Sequence, residues 1–147
     1  MSKTRLLCHI VYATKHRRNT INPANRHKLI AYTKTIINKN KSTSIEINCV
    51  NNHIHLLIDI HPTVSVAGIV KVIKQSTSTW MHENPDFPQF EKWQEGYFAG
   101  SVGPDGVERC KKYIQNQEKH HLGKDYKSEM EKMVNLYGLE WYEDDWE

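Results

Sequence analysis

Residues 51–60 read NNHIHLLIDI, two histidines one residue apart followed by an unbroken apolar run. How this stretch is read decides the fold. In an extended strand alternate side chains share a face. His53, His55, Leu57 and Asp59 would then point one way and Ile54, Leu56, Ile58 and Ile60 the other. The second set is a core stripe. The first leaves two readings open: a buried strand that carries imidazoles, or a metal site built on a strand, since two imidazoles at this spacing can reach one cation.

The neighbours of the stretch define its place. Ile45, Ile47 and Cys49 alternate with polar residues as a strand does, and Asn51-Asn52 suits a two-residue hairpin turn because Asn tolerates positive φ. Leu6 to Thr14 (LLCHIVYAT) is apolar on both alternating faces, the pattern of a strand inside a sheet. Between them, Asn22 before Pro23 predicts a helix start, with Leu29, Ile30, Thr33, Ile36 and Ile37 at helical spacing. After His61-Pro62, Val66, Ile69, Val70, Ile73, Thr77 and Trp80 mark a second helix whose polar side carries Lys71 and Lys74. WQEGYFAGSV predicts a further strand, and a Gly103-Pro104-Asp105-Gly106 break leads into a helix, VERCKKYIQNQEKHH, with Val107, Cys110 and Ile114 inward. KSEMEKMVNLYG predicts a short last helix before an acidic tail, EWYEDDWE. The order βαββαβα predicts an α/β (α+β) sandwich of ferredoxin-like or RRM-like plan, a small antiparallel sheet with helices, first and third strands side by side at its centre. The opening stretch becomes a central strand.

At 147 residues the chain is the size of a single domain, read as a main part over 1–123 and an acidic helix and tail over 124–147 belonging to it. No apolar run approaches the roughly 20 residues that cross a bilayer, nor does the start resemble a signal peptide, so a cytoplasmic protein is expected. Cys8, Cys49 and Cys110 are too scattered for a disulfide framework or a thiolate zinc site. Of 20 basic and 17 acidic side chains, residues 124–147 hold three Lys against eight Asp or Glu, leaving 17 basic against 9 acidic in the rest. That excess, with Lys15, His16, Arg17 and Arg18 in one cluster, suits a nucleic-acid partner.

On the penultimate helix Tyr113 and Gln117 lie four residues apart, at the margin of the buried stripe. A tyrosine so placed has an anchored ring and a free hydroxyl, the requirement for a nucleophile on a phosphodiester. With an ordinary pKa near 10, roughly one phenol in a thousand is ionised at neutral pH, so a cation nearby would assist attack.

Together, NHIHLLI on a strand, WQEGYF before a strand ending SVG, YIQNQ on a following helix and the opening HIVYATKHRR resemble the single-tyrosine transposases of the HUH (His-hydrophobe-His) superfamily, over residues 8 to about 121. The resemblance implies His53, His55 and Gln117 as metal ligands and Tyr113 as nucleophile. It implies Mg²⁺ or Mn²⁺ as cofactor and cleavage of single-stranded DNA beside a hairpin, through a 5′-phosphotyrosine and a free 3′-hydroxyl. It also implies a homodimer with the tyrosine helix acting in trans. Lys15, Arg17, Arg18, Lys71 and Lys74 would contact DNA phosphates, with Tyr12 or Tyr97 available for stacking. Two alternatives stand beside this: a non-catalytic single-stranded nucleic-acid binder, and a domesticated relative that cuts repeated hairpins. His120 and His121 at the helix end, and Trp141 and Trp146 in the tail, are given no part in the site.

Overall fold

The computed structural model of the chain describes residues 1–118 and 125–140. In chain order it contains strand β1 (Leu7–Ala13), helix α1 (Arg26–Lys39), strands β2 (Thr43–Cys49) and β3 (His53–Asp59), helix α2 (Val66–His82), strand β4 (Phe98–Ser101), and helices α3 (Val107–Gln115) and α4 (Tyr126–Leu136). One antiparallel sheet runs β2-β3-β1-β4. The two central strands are the first and third, as the apolar patterns require.

The pairing of β1 with β3 sorts the sheet into two faces. Ile10 lies opposite Leu56 and Tyr12 opposite Ile54, while Val11 lies opposite His55 and Ala13 opposite His53. The first set meets α1 and α2 in the main core, with Cys8, Ile58, Leu29, Ile37, Ile69 and Ile73. Each such fully buried aliphatic side chain contributes about 1.5–3 kcal/mol. The second face carries Val11, Ala13 and Phe98, covered by Tyr126, Met130, Met133 and Val134 of α4, with Tyr113 and Tyr137 packed alongside. The apolar positions of α4 recur at helical spacing, and Asp125 caps it by accepting from the Ser128 amide at 2.8 Å.

Four local expectations change. The first helix begins at Arg26 rather than after Asn22, because the Asn22 side chain accepts from Ala24 N and closes a separate turn. Neither Asn51 nor Asn52 adopts positive φ. Their turn is held from outside, with Ile21 N donating to Asn51 O and Thr14 N to Asn52 O. The strand in WQEGYFAGSV is confined to Phe98–Ser101, with Trp93 making a single bridge to Thr14. Finally, α3 ends at Gln115 with Asn116 as its cap, so Gln117 lies just past the helix that carries Tyr113. The expectations for His120, His121, Trp141 and Trp146 lie outside the described residues.

At Gly100 the Tyr137 ring, just past α4, lies close against the sheet. A Cβ there would stand 2.7 Å from two ring atoms of Tyr137. Gly100→Ala should therefore displace Tyr137 at a cost of about 1–3 kcal/mol. Hydrogen exchange should rise across α4 while α1 and α2 stay protected.

Candidate metal centre and nucleophile

Strand alternation, one helix and one buried acid build the site. β3 presents His53 and His55 on the face away from the main core, and both rings are fully buried. Above them α4 lowers Glu129 from its apolar stripe. Glu129 Oε2 lies 3.5 Å from His53 Nε2, and Oε1 lies 3.1 Å from His55 Nε2. The Tyr113 hydroxyl, brought by α3, donates to the same Oε1 at 2.5 Å. One carboxylate thus joins the histidine pair to the tyrosine. The tyrosine ring meets His55 edge-on at 5.6 Å and His9 at 6.0 Å between centroids.

A further set of contacts lies behind the histidines. His53 Nδ1 is 2.8 Å from Asn52 Oδ1, and His55 Nδ1 is 2.9 Å from Nε2 of the buried His9 on β1. Asn52 Nδ2 also donates to Arg17 O at 3.3 Å, in a short turn over Lys15–Arg17 where His16 and Arg17 both have φ 55°. Left-handed backbone at residues other than glycine costs about 1–2 kcal/mol each, and Thr14 Oγ1 helps hold this turn by donating to Arg18 O at 2.7 Å.

The electrostatics follow from burial. Desolvation acts to raise the Glu129 carboxyl, but hydrogen bonds and charge from His53 and His55 outweigh it and hold the group well below the ordinary carboxylate range. Burial, then the Glu129 charge, pushes the Tyr113 phenol well above its usual value, opposed in part by the Gln117 amide. His9 is lowered to about 3, first by desolvation and then by His55.

The donor set fits a divalent cation. Two imidazole nitrogens and a carboxylate oxygen lie within 4.8 Å of one another, all on buried residues, a combination suited to first-row divalent ions. Gln117 is fully buried, its Nε2 donating to Tyr113 O at 3.3 Å. Its Oε1 has no hydrogen-bond partner among the described residues, an orphaned acceptor next to the cluster.

The sequence-predicted residues fall into three groups. His53, His55 and Tyr113 converge, with Gln117 beside Tyr113. In this single chain α3 packs on its own β2 and β3. Lys15, Arg17 and Arg18 follow β1 at the end where Asn52 and His53 lie, with Arg18 paired to Glu91 at 2.5 Å. Lys71 and Lys74 sit on α2, across the sheet from the histidines, and Lys74 Nζ donates to the carbonyls of Gln94 and Gly96, each at 2.8 Å. Tyr12 is fully buried against Trp93 and offers no stacking surface, whereas Tyr97 is exposed. Sequence reasoning missed Glu129, whose signal was an acid on the apolar stripe of Tyr126, Met130 and Met133. It read Asn52 only as a turn residue.

With this geometry in view, the likenesses to known proteins are specific. Residues 2–117 match the family model described as transposase IS200 like. Transposases for insertion sequence element IS200 from Salmonella typhimurium and Salmonella typhi are each 28% identical over 132 residues, covering 85% of this chain and 84% of theirs. The fold is shared with a crystal structure described as a putative transposase from Deinococcus radiodurans R1, at TM-score 0.62 and 20% identity over 79% of this chain and 93% of that one. It is also shared with a REP-associated tyrosine transposase bound to a REP hairpin, at TM-score 0.62 and 12% identity over 82% of this chain and 74% of that one. The family match spans both histidines, the tyrosine and the glutamine, and on it the chain belongs to the IS200-like, single-tyrosine transposases of the HUH superfamily.

Proposed function

We propose that the chain cleaves and rejoins single-stranded DNA beside a hairpin, with Tyr113 as nucleophile and a divalent cation held by His53, His55 and Glu129. The observation that carries this reading is the shared carboxylate: Glu129 Oε1 bonds the Tyr113 hydroxyl and faces His55 Nε2. Nucleophile and cation site are therefore one unit. Gln117, with its unused buried oxygen, is the fourth candidate ligand.

The residues divide the chemistry as follows. The Tyr113 ring is anchored between α4 and the histidines, which leaves only its hydroxyl to approach a phosphate. Glu129 holds that hydroxyl by its proton, and its charge keeps the phenol neutral at rest. Mg²⁺ or Mn²⁺, when bound, supplies positive charge to the scissile phosphate and compensates the carboxylate. Attack forms a bond from Tyr113 Oη to phosphorus and breaks the bond to the 3′ oxygen. The phenol proton passes to Glu129 Oε1, its hydrogen-bond acceptor, and the departing 3′ oxygen takes a proton from water to leave as a hydroxyl. The phosphodiester energy stays in the 5′-phosphotyrosine, so a second 3′-hydroxyl can reverse the step and rejoin strands.

Lys15, Arg17 and Arg18 stand nearest the site for the strand being cut, and Lys71 with exposed Tyr97 is on the α2 side for a hairpin. The REP hairpin in the related complex supports a hairpin ligand. Such an enzyme works in the cytoplasm, where its DNA is. A homodimer exchanging the tyrosine helix rests on the resemblance alone, and the complete site within one chain supports action in cis.

Two outcomes test this. Incubated with labelled single-stranded hairpin oligonucleotides and Mn²⁺, the wild type should form a covalent adduct that chelator abolishes. Tyr113→Phe and His55→Ala should form none yet still bind the hairpin. Second, Glu129→Gln removes the charge that raises the phenol, so Tyr113 in the metal-free variant should ionise at lower pH than in the wild type. Carbon-13 tyrosine spectra over an alkaline titration would show it.

A further inference from the structure

Asn52 and His9 make no hydrogen bond to Tyr113 or Glu129 among the described residues, yet each lies within hydrogen-bond distance of a candidate ligand on the side facing away from Glu129. The orientation of Asn52 follows from its two bonds. Its Nδ2 donates to Arg17 O, so the oxygen is the atom facing His53 Nδ1 at 2.8 Å. An amide oxygen can only accept. His53 Nδ1 must therefore carry its proton, which leaves Nε2, the nitrogen facing Glu129, as the one able to ligate a cation. On β1, His9 is displaced by two residues from Val11, the pairing partner of His55. That diagonal brings its Nε2 to 2.9 Å from His55 Nδ1. For His55 Nε2 to ligate, Nδ1 must donate and His9 Nε2 must accept.

Resting on the metal reading above, we propose that Asn52 and His9 are positioning residues that fix the tautomers of His53 and His55, so that both Nε2 atoms face the cation. Partners of this kind commonly govern metal affinity by 10–100-fold. Asn52 has a second consequence. Its other bond ends on the carbonyl of Arg17, in the left-handed turn of the basic cluster, so one side chain links that turn to a metal ligand. The asparagine of NNHIH is then the acceptor for the histidine that follows it.

The test is Mn²⁺ binding to the full chain without DNA, measured from the electron paramagnetic resonance of free Mn²⁺. Asn52→Leu removes the acceptor, and affinity should fall at least tenfold. Asn52→Asp keeps an acceptor for His53, adds a negative charge to it and loses the donor to Arg17, so it should bind no more than a few-fold more weakly than wild type. His9→Phe should bind at least tenfold more weakly, and His9→Asn, which can still accept, should recover part of the loss. Equal affinity in Asn52→Leu and wild type overturns the inference, as does an equal loss in Asn52→Leu and Asn52→Asp, which would mark a turn effect. Should the leucine variant fail to fold, nitrogen-15 spectra of the wild-type histidines with Zn²⁺ as a diamagnetic substitute decide. A proton on Nδ1 of both His53 and His55 supports the proposal, and a proton on either Nε2 overturns it. Absence of any binding to the wild type sinks the metal reading itself, an outcome distinct from those above.

Discussion

Glu129 carries its carboxylate into the interior of the molecule, where loss of water alone would favour the neutral acid. His53 and His55 reverse that preference. A buried charge persists only with compensation and hydrogen bonds, and this requirement reaches through the structure. β3 must place both imidazoles on one face, which its alternation does. β1 must pair with β3 in the register that sets Val11 beside His55 and brings His9 to its diagonal. α4 must dock closely enough to deliver the acid, which the absence of a side chain at Gly100 permits.

On the function proposed, the same cluster holds the nucleophile ready without its being reactive. A phenol next to a carboxylate and out of water stays protonated. Positive charge brought to the carboxylate lifts part of that restraint at the place where a phosphate would be bound. The sheet separates this chemistry from the core: one face is Ile10, Tyr12, Ile54, Leu56 and Ile58 beneath α1 and α2, the other is the site beneath α3 and α4.

Much of this was legible in the sequence because two periodicities carried it. Alternation fixed β1 and β3, spacing fixed α2, and the His-x-His pair with Tyr113 and Gln117 named the chemistry. What was not legible depended on contacts between segments distant in the chain. Glu129 is 74 residues beyond His55, in a stretch whose net negative charge reads as a solvated face; only its position among Tyr126, Met130 and Met133 pointed inward. Asn52 looked like a turn former because asparagine tolerates left-handed backbone, whereas its turn is held by Thr14 and Ile21 amides and its side chain is spent on His53 and Arg17. Tyr12 and Lys74 were read as ligands for DNA, and packing against Trp93 and donation to loop carbonyls gave them other partners.

On the proposed function His53, His55 and Glu129 hold one divalent cation at the hydroxyl of Tyr113. A crystal grown with Mn²⁺, with data collected at the manganese absorption edge, addresses it directly. One strong anomalous peak bonded to Nε2 of both histidines and to a Glu129 oxygen is expected. A peak bound elsewhere, or none while Glu129 still bridges the two imidazoles, would contradict it.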